Sequence, residues 1–358
     1  MTKKWLFVGS KTQFDHNPGR GIYTYQFDSM TGSLTLVEVF EDIVNPTFLM
    51  TTQDGRYLYS VIEVGNFMGE KAGGIAAFSV HPKTAKLTLL NCRSTGGASP
   101  CHVRLDRQEK VLFVSNYNGG SVAVFPIAAD GSLEMCSQLI QYQGSSVHPN
   151  QQQPHAHAVM VLPDNRYVFT ADLGTDVIHS YTFDTGAKKL VENYQSVHLM
   201  PGAGPRHFAL HPHLSVLYVV NELDSTVVVF DVHKESGYLT PKEIVTSLPA
   251  EFVGQNSAAD IHVTHNGKFL YASNRGHDSL AIFTINAQTG ELESLGHQSV
   301  SGKHPRNFMI TPDDNWLLCA NRDSDNIVSF RLNTETGMLT HVADYACNKP
   351  ICLSLSRL

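Results

Sequence analysis

One phrase recurs along the 358-residue chain: a short apolar strand opened by proline, a polar turn, then a second strand ending in a polar residue. It fills 46–63, 100–117, 154–173, 205–223, 260–276 and 305–323. The openings fall at residues 46, 100, 154, 205, 259, 305 and 350, with Ala259 in place of proline. The period is roughly 50 residues, and a repeat of that length dictates the architecture before any single residue does. A third strand follows each phrase, as in 121–128, 177–184, 226–233, 280–287 and 327–333. These strands alternate apolar and polar residues, the pattern of half-buried strands. Next comes a tight turn, such as Asp130-Gly131-Ser132 or Asn333 to Gly337. Glycine there supplies positive φ, and Asp or Asn bonds its own backbone. A fourth strand follows each turn.

Four antiparallel strands in about 50 residues make one β-propeller blade. The meander excludes a βαβ fold, and no long 3.6-residue period with caps is present, which excludes helical solenoids. The seventh unit is split. Residues 350–358 supply an opening strand with nothing after it, while 5–10 and 21–28 are second and third strands with nothing before them. Joining the ends completes a blade and removes open sheet edges. The expected fold is all-β: a seven-bladed propeller of four-stranded antiparallel blades. Its ring is closed by a C-terminal strand, in a single domain spanning 1–358.

Composition agrees. Hydrophobic residues make up 42%, enough for a large core. Only 16% are charged, while Gly and His number 27 and 18, as short strands and turns with few helical surfaces would give. No apolar run approaches the roughly 18 residues of a membrane span, and the start, Met1 to Val8, is too short for a signal peptide and reads as a strand. A net charge of −7 argues against nucleic acid. The six cysteines form no C-x-x-C pair, so reduced thiols and a cytoplasmic protein are expected, as a monomer or weak homo-oligomer.

The first strand of a blade lines the central channel and the second runs back, so the start of one and the end of the other share a mouth. That brings together His102, His155, His157, Arg206, His207, Arg306 and Asn307 from first strands. Second strands add Glu63, Asn116, Asp172, Asn221, Glu222, Asn274, Arg275, Asn321 and Arg322. Any one such Arg or Asn reads as a partner for loop carbonyls. Gathered at one mouth of an acidic protein, they read as a site on a rigid scaffold. His155 and His157 would face opposite sides unless a bulge intervenes, and no third ligand has suitable spacing, so no metal is expected. Asp54, Asp164 and Asp313 are turn formers, Asn118-Gly119-Gly120-Ser121 is a hairpin turn, and no G-x-S-x-G elbow occurs.

The stretches 154–169, G-P-R-H at 204–207, N-E-L at 221–223, 259–263, S-N-R at 273–275 and 305–313 resemble the lactonase family of seven-bladed β-propellers. That family includes propeller-type 6-phosphogluconolactonases and 3-carboxy-cis,cis-muconate lactonizing enzymes. The G-H and W-D marks of WD40 blades are absent. The resemblance implies His157, Arg206, Glu222 and Arg275 as catalytic residues. His155, His207, Arg306, Asn116 and Arg322 are the expected substrate contacts, and no cofactor is implied. His157 suits general base or acid work; Glu222 would orient it or take the proton; Arg206 and Arg275 would hold an oxyanion or anionic group. The expected substrate is a small anionic lactone. The first reading is hydrolysis of 6-phosphogluconolactone to 6-phosphogluconate in the pentose phosphate pathway. A cycloisomerase and a non-enzymatic binding propeller are the alternatives. The insertion 142–153 is placed to shape substrate access.

Overall fold

Residues 4–13, 15–193 and 195–356 are described by a computed structural model. Seven antiparallel sheets follow one another along the chain. Blade 1 comprises residues 4–40 with 350–355, and blades 2 to 7 comprise 49–94, 100–141, 156–198, 205–246, 257–299 and 305–346. Each is a four-stranded meander, and in blade 4 the outer strand is broken into Lys189–Glu192 and Val197–His198. No helix occurs among the described residues. Consecutive inner strands touch all the way round, from Leu49–Thr51 through Pro305–Ile310 to Pro350–Leu355, which returns to Leu49–Thr51. Pro350–Leu355 pairs with Lys4–Ser10, so the C-terminal strand completes the first blade. Residues 1–3 and 357–358 of the expected ring lie outside the described residues.

The alternation along the strands has a different cause from the one expected. Val111–Asn116, Ser121–Pro126 and Val216–Asn221 are buried at every position, not on one face. Each blade is sandwiched between two others, so odd and even residues serve different neighbours. Leu6, Val8, Tyr23 and Tyr25 pack against blade 7, whereas Trp5, Phe7 and Ile22 pack against blade 2. Seven core clusters arise this way, each spanning two adjacent sheets. At about 1.5–3 kcal/mol per fully buried large apolar side chain, these inter-blade layers dominate the stability. Solvent-facing alternation is clearest in the outer strands, such as Tyr238–Thr246, and appears at the end of the third strand Val177–Asp184.

The turn glycines couple neighbouring blades. Gly337 has φ 72°, and a Cβ there would lie 2.5 Å from the Phe269 ring of blade 6. Its carbonyl accepts the Tyr271 hydroxyl at 2.7 Å. Tyr59 with Gly131 and Tyr218 with Gly290 repeat the contact at 3.0 and 2.8 Å.

Candidate active site

Register places the chemistry. Pro205 pairs with Asn221, but His207 pairs with Val220, so Arg206 is an extra residue in a β-bulge. The same shift sets out Cys101, His157, Arg306 and Ile351 in blades 3, 4, 7 and 1, and the Ala259–Asp260 pair in blade 6. A bulge turns two successive side chains toward one side and re-aims them. This corrects the repeat alignment. Ala156 and Ala258, not Pro154 and Ala259, stand where Pro205 stands. Asp172 explains the blade 4 offset: its carboxylate takes the place of asparagine and accepts the amides of His155 at 2.7 Å and Gly174 at 3.0 Å.

Arg206, 2% exposed, lies at the centre of the first mouth. Its Nε donates to Glu222 Oε2 at 2.8 Å, and Arg275 Nη2 meets the same oxygen at 3.0 Å. Arg206 Nη1 also donates to the Ala259 carbonyl, and Arg275 donates to the Ser257 and Ala258 carbonyls at 3.2 and 2.9 Å. Burial works to raise the Glu222 carboxyl, but Arg275, Arg206 and Arg306 together hold it down to about 2. Glu222 is therefore ionised at neutral pH, a fixed negative charge shared by the two guanidinium groups. Burial and then Arg275 lower the Arg206 guanidinium to about 9, leaving it charged at neutral pH.

The G-A-G-P-R-H stretch earns its spelling here. Gly204 has φ 66°, and a Cβ would meet Leu223 Cγ at 2.6 Å. The amides of Gly202 and Gly204 donate to Asp176 at 2.8 and 2.7 Å, and the Gly204 carbonyl accepts the Glu222 amide at 2.7 Å. One loop thus sets both Arg206 and Glu222. Asp176 also accepts Gln151 Nε2 at 2.7 Å and the Ser146 hydroxyl, which ties the 142–153 insertion to that loop.

His157 is the bulge residue of blade 4, 3% exposed, with its Nδ1 buried and without a partner among the described residues. Burial, then Arg206, His207 and Arg306, push its pKa well below the ordinary value, so the imidazole is neutral at neutral pH. Its ring stands edge-on to Tyr117 and His207, with centroids 5.8 and 5.1 Å apart. His155 is held differently: it stacks on Tyr117 at 4.2 Å and its Nδ1 donates to the Tyr117 carbonyl at 3.0 Å.

His207 belongs to a layer one step deeper. Its Nδ1 donates to Asp260 Oδ1 at 2.7 Å, leaving Nε2 to accept Arg206 Nη1 at 3.3 Å. Asp260 is a hub: it also accepts His262 Nε2 at 3.0 Å, Asn307 Nδ2, and the amides of Ile261 at 3.0 Å and Phe308 at 3.2 Å. Burial and Arg206 lower His207 to about 4. Phe48 and His102 complete this layer, 4.4 Å apart. Sequence reading missed Asp260; the signal was an acid on an inner strand, at the position where blades 3, 5 and 7 carry His102, His207 and Asn307.

Arg306 and Arg322 open onto a cavity of about 260 Å³ at the same mouth, with Lys11, Thr47, Glu63 and Ser99. Arg322 is paired with Asp323 at 2.6 Å, whereas Arg306 has no hydrogen bond or ion pair among the described residues. Lys11, Tyr117 and Ser99 were not foreseen. Asn116 is not brought to the cluster. It is fully buried, and its Nδ2 donates to the Thr95 carbonyl of blade 2 at 3.3 Å and to Ser121 at 3.1 Å, a brace between blades.

The family model for the seven-bladed β-propeller lactonases matches residues 5–355. The chain is 35% identical to the 6-phosphogluconolactonase of Bacillus subtilis over 87% of its length and 86% of the relative's. It is 38% identical to that of Formosa agariphila, with 86% of each covered. Among solved structures, a putative 6-phosphogluconolactonase from Bacteroides fragilis superposes with a TM-score of 0.90 at 34% identity, over 99% of this chain and 98% of that one. The Pseudomonas aeruginosa periplasmic gluconolactonase PpgL gives 0.92 at 31% identity, with 99% of each covered.

Proposed function

The chain belongs to the seven-bladed β-propeller lactonases, and from that premise we propose that it hydrolyses 6-phosphogluconolactone to 6-phosphogluconate, a step of the pentose phosphate pathway. The observation that carries the mechanism is the neutral His157, its Nδ1 without a partner among the described residues, near two guanidinium groups locked on one carboxylate.

His157 takes a proton from water as that water attacks the lactone carbonyl, and a tetrahedral oxyanion develops. Arg206 and Arg275 face that charge. Glu222 fixes both guanidinium groups in advance, so no reorganisation is needed when the charge appears. The intermediate collapses, the ring C–O bond breaks, and His157 returns its proton to the departing ring oxygen. The product is the open carboxylic acid with its new hydroxyl, and the acid releases its proton to solvent to leave the carboxylate. Arg306, without a protein acceptor among the described residues, and Arg322 hold the phosphoryl group in the adjoining cavity. Asp260 keeps the proton of His207 on Nδ1, so that Nε2 holds Arg206 in place.

The six cysteines are free thiols, which suits a reducing cytoplasm. No helix among the described residues is long and apolar enough to cross a membrane. The test is hydrolysis of 6-phosphogluconolactone above the spontaneous rate by wild type, His157→Ala and Arg206→Ala. Losses of about 10²–10⁴-fold and 10²–10³-fold are expected. Full activity in both variants removes the site assignment, and no rate above buffer in the wild type removes the reaction.

A further inference from the structure

Four residues along each inner strand from its pairing start lies a third ring, at the mouth opposite the lactone site. It carries Arg104, Met160, Ala209, His262, Met309 and Ser354, with Met50 from blade 2. Arg104 and His262 line three adjoining cavities there, of about 170, 390 and 430 Å³. Arg104 is half-buried, yet its only hydrogen-bond partner among the described residues is Met160 Sδ, 4.0 Å from Nη2, and it has no ion pair. The acids within reach are committed. Asp106 accepts the amides of Gln108, Lys110 and Val111 and the Asn165 side chain. Glu109 accepts the Gln53 amide at 2.6 Å, and Asp260 is filled from five donors. Arg107 adds a second cation beside Arg104, held by the Leu162 and Val161 carbonyls at 3.2 and 2.6 Å.

The Arg104 guanidinium lines all three cavities with no protein oxygen to accept from it among the described residues, so its N–H groups are open to an anion entering there. Burial and then Arg107 lower Arg104 to about 10, the direction expected for a cation that lacks its complement. At the first mouth the other unpaired arginine, Arg306, is the one assigned to the substrate anion.

We propose that the second mouth is an anion-binding site in which Arg104, flanked by Arg107 and His262, receives a small phosphate- or carboxylate-bearing molecule. The methionines of the ring supply an apolar wall for the rest of that molecule. The layer of Phe48, His102, His207 and Asp260 lies between this site and the lactone mouth, so the two are separately occupied.

Titration calorimetry at low salt tests this, with inorganic phosphate and malonate as separate probes on wild type and Arg104→Gln. The wild type should bind two equivalents of at least one probe and Arg104→Gln one, with the KM for lactone unchanged. Whichever probe loses its second equivalent identifies the ligand chemistry. If Arg104→Gln fails to fold, Arg104→Lys is used, and its second equivalent should bind at least tenfold more weakly. Wild-type crystals soaked in the probe should show it on Arg104. An Arg104 variant that binds as many equivalents as the wild type, with unchanged affinity, overturns the proposal, whether or not the first mouth also takes the probe. That result does not depend on whether the first mouth hydrolyses lactones.

Discussion

Glu222→Gln removes one charge and almost no volume, so its effect reports on the ion triad alone. The side chains of Arg206 and Arg275 are 2% and 5% exposed, and their shared charged acceptor is Glu222 Oε2. The displacement of the Glu222 carboxyl from 4.5 to about 2 corresponds to about 3 kcal/mol of folding stability at neutral pH. Breaking a buried pair from one side costs about 3–5 kcal/mol, since the other charge stays behind. For a chain of this length, that range lowers Tm by about 4–7 °C. The measurement is thermal unfolding by circular dichroism at pH 7, 5.5 and 3. The sign follows from the folded pKa lying below the unfolded one. The contribution is fully present above pH 4.5 and is lost as pH falls through about 2. The Tm gap should therefore be complete at pH 7 and 5.5 and smaller at pH 3. Activity at pH 7 should fall about 10²-fold or more, because Arg206 and Arg275 lose their common anchor. A variant melting within about 1 °C of wild type at pH 7, or a gap as large at pH 3 as at pH 7, refutes the reasoning.

Three further outcomes follow from the same geometry. Because His157 titrates well below 6.5, kcat/KM should stay flat from pH 8 down to about 6.5 and fall only below it; an acid limb centred above 6.5 excludes His157 as the base. Gly204→Ala forces a side chain onto φ 66° and into Leu223, costing about 1–2 kcal/mol in backbone strain alone, and should lower both Tm and kcat by moving Glu222; unaltered kinetics count against the loop's role. Asp176→Ala strips the acceptor from Gly202, Gly204, Ser146 and Gln151, at about 1–3 kcal/mol per stranded buried donor, and should expose 142–153 to limited proteolysis; a cleavage pattern identical to wild type contradicts the anchoring.

The meander made the mouth legible from sequence. Once strands one and two were known to be antiparallel, Arg206, Glu222, Arg275 and Arg306 had to share an end of the channel, although about 100 residues separate the first from the last. The bulge was not legible. Strand periodicity puts Arg206 and His207 on opposite faces, and only the shift between Pro205 and His207 turns both inward. Such a shift depends on which amide finds which carbonyl across the ladder, and side-chain identity does not encode that.

The misreading of Asn116 shows what the repeat could have said. Asn274 donates to the Ser247 carbonyl at 2.6 Å and Asn321 to the Val300 carbonyl at 2.9 Å, the same brace that Asn116 makes to Thr95. An asparagine recurring at one place in successive blades serves what successive blades have in common, which is packing on a neighbour. Tyr59, Tyr218 and Tyr271, which recur likewise, lock the turn glycines. Substrate breaks the sevenfold equivalence, so the residues that meet it differ from blade to blade at one structural position. The bulge ring carries Cys101, His157, Arg206, Arg306 and Ile351, four residue types at one site in the fold. The far ring varies in the same way, with arginine, histidine, serine, alanine and methionine at one position. That non-equivalence, which packing alone does not require, is the physical reason to expect chemistry at both ends of the channel.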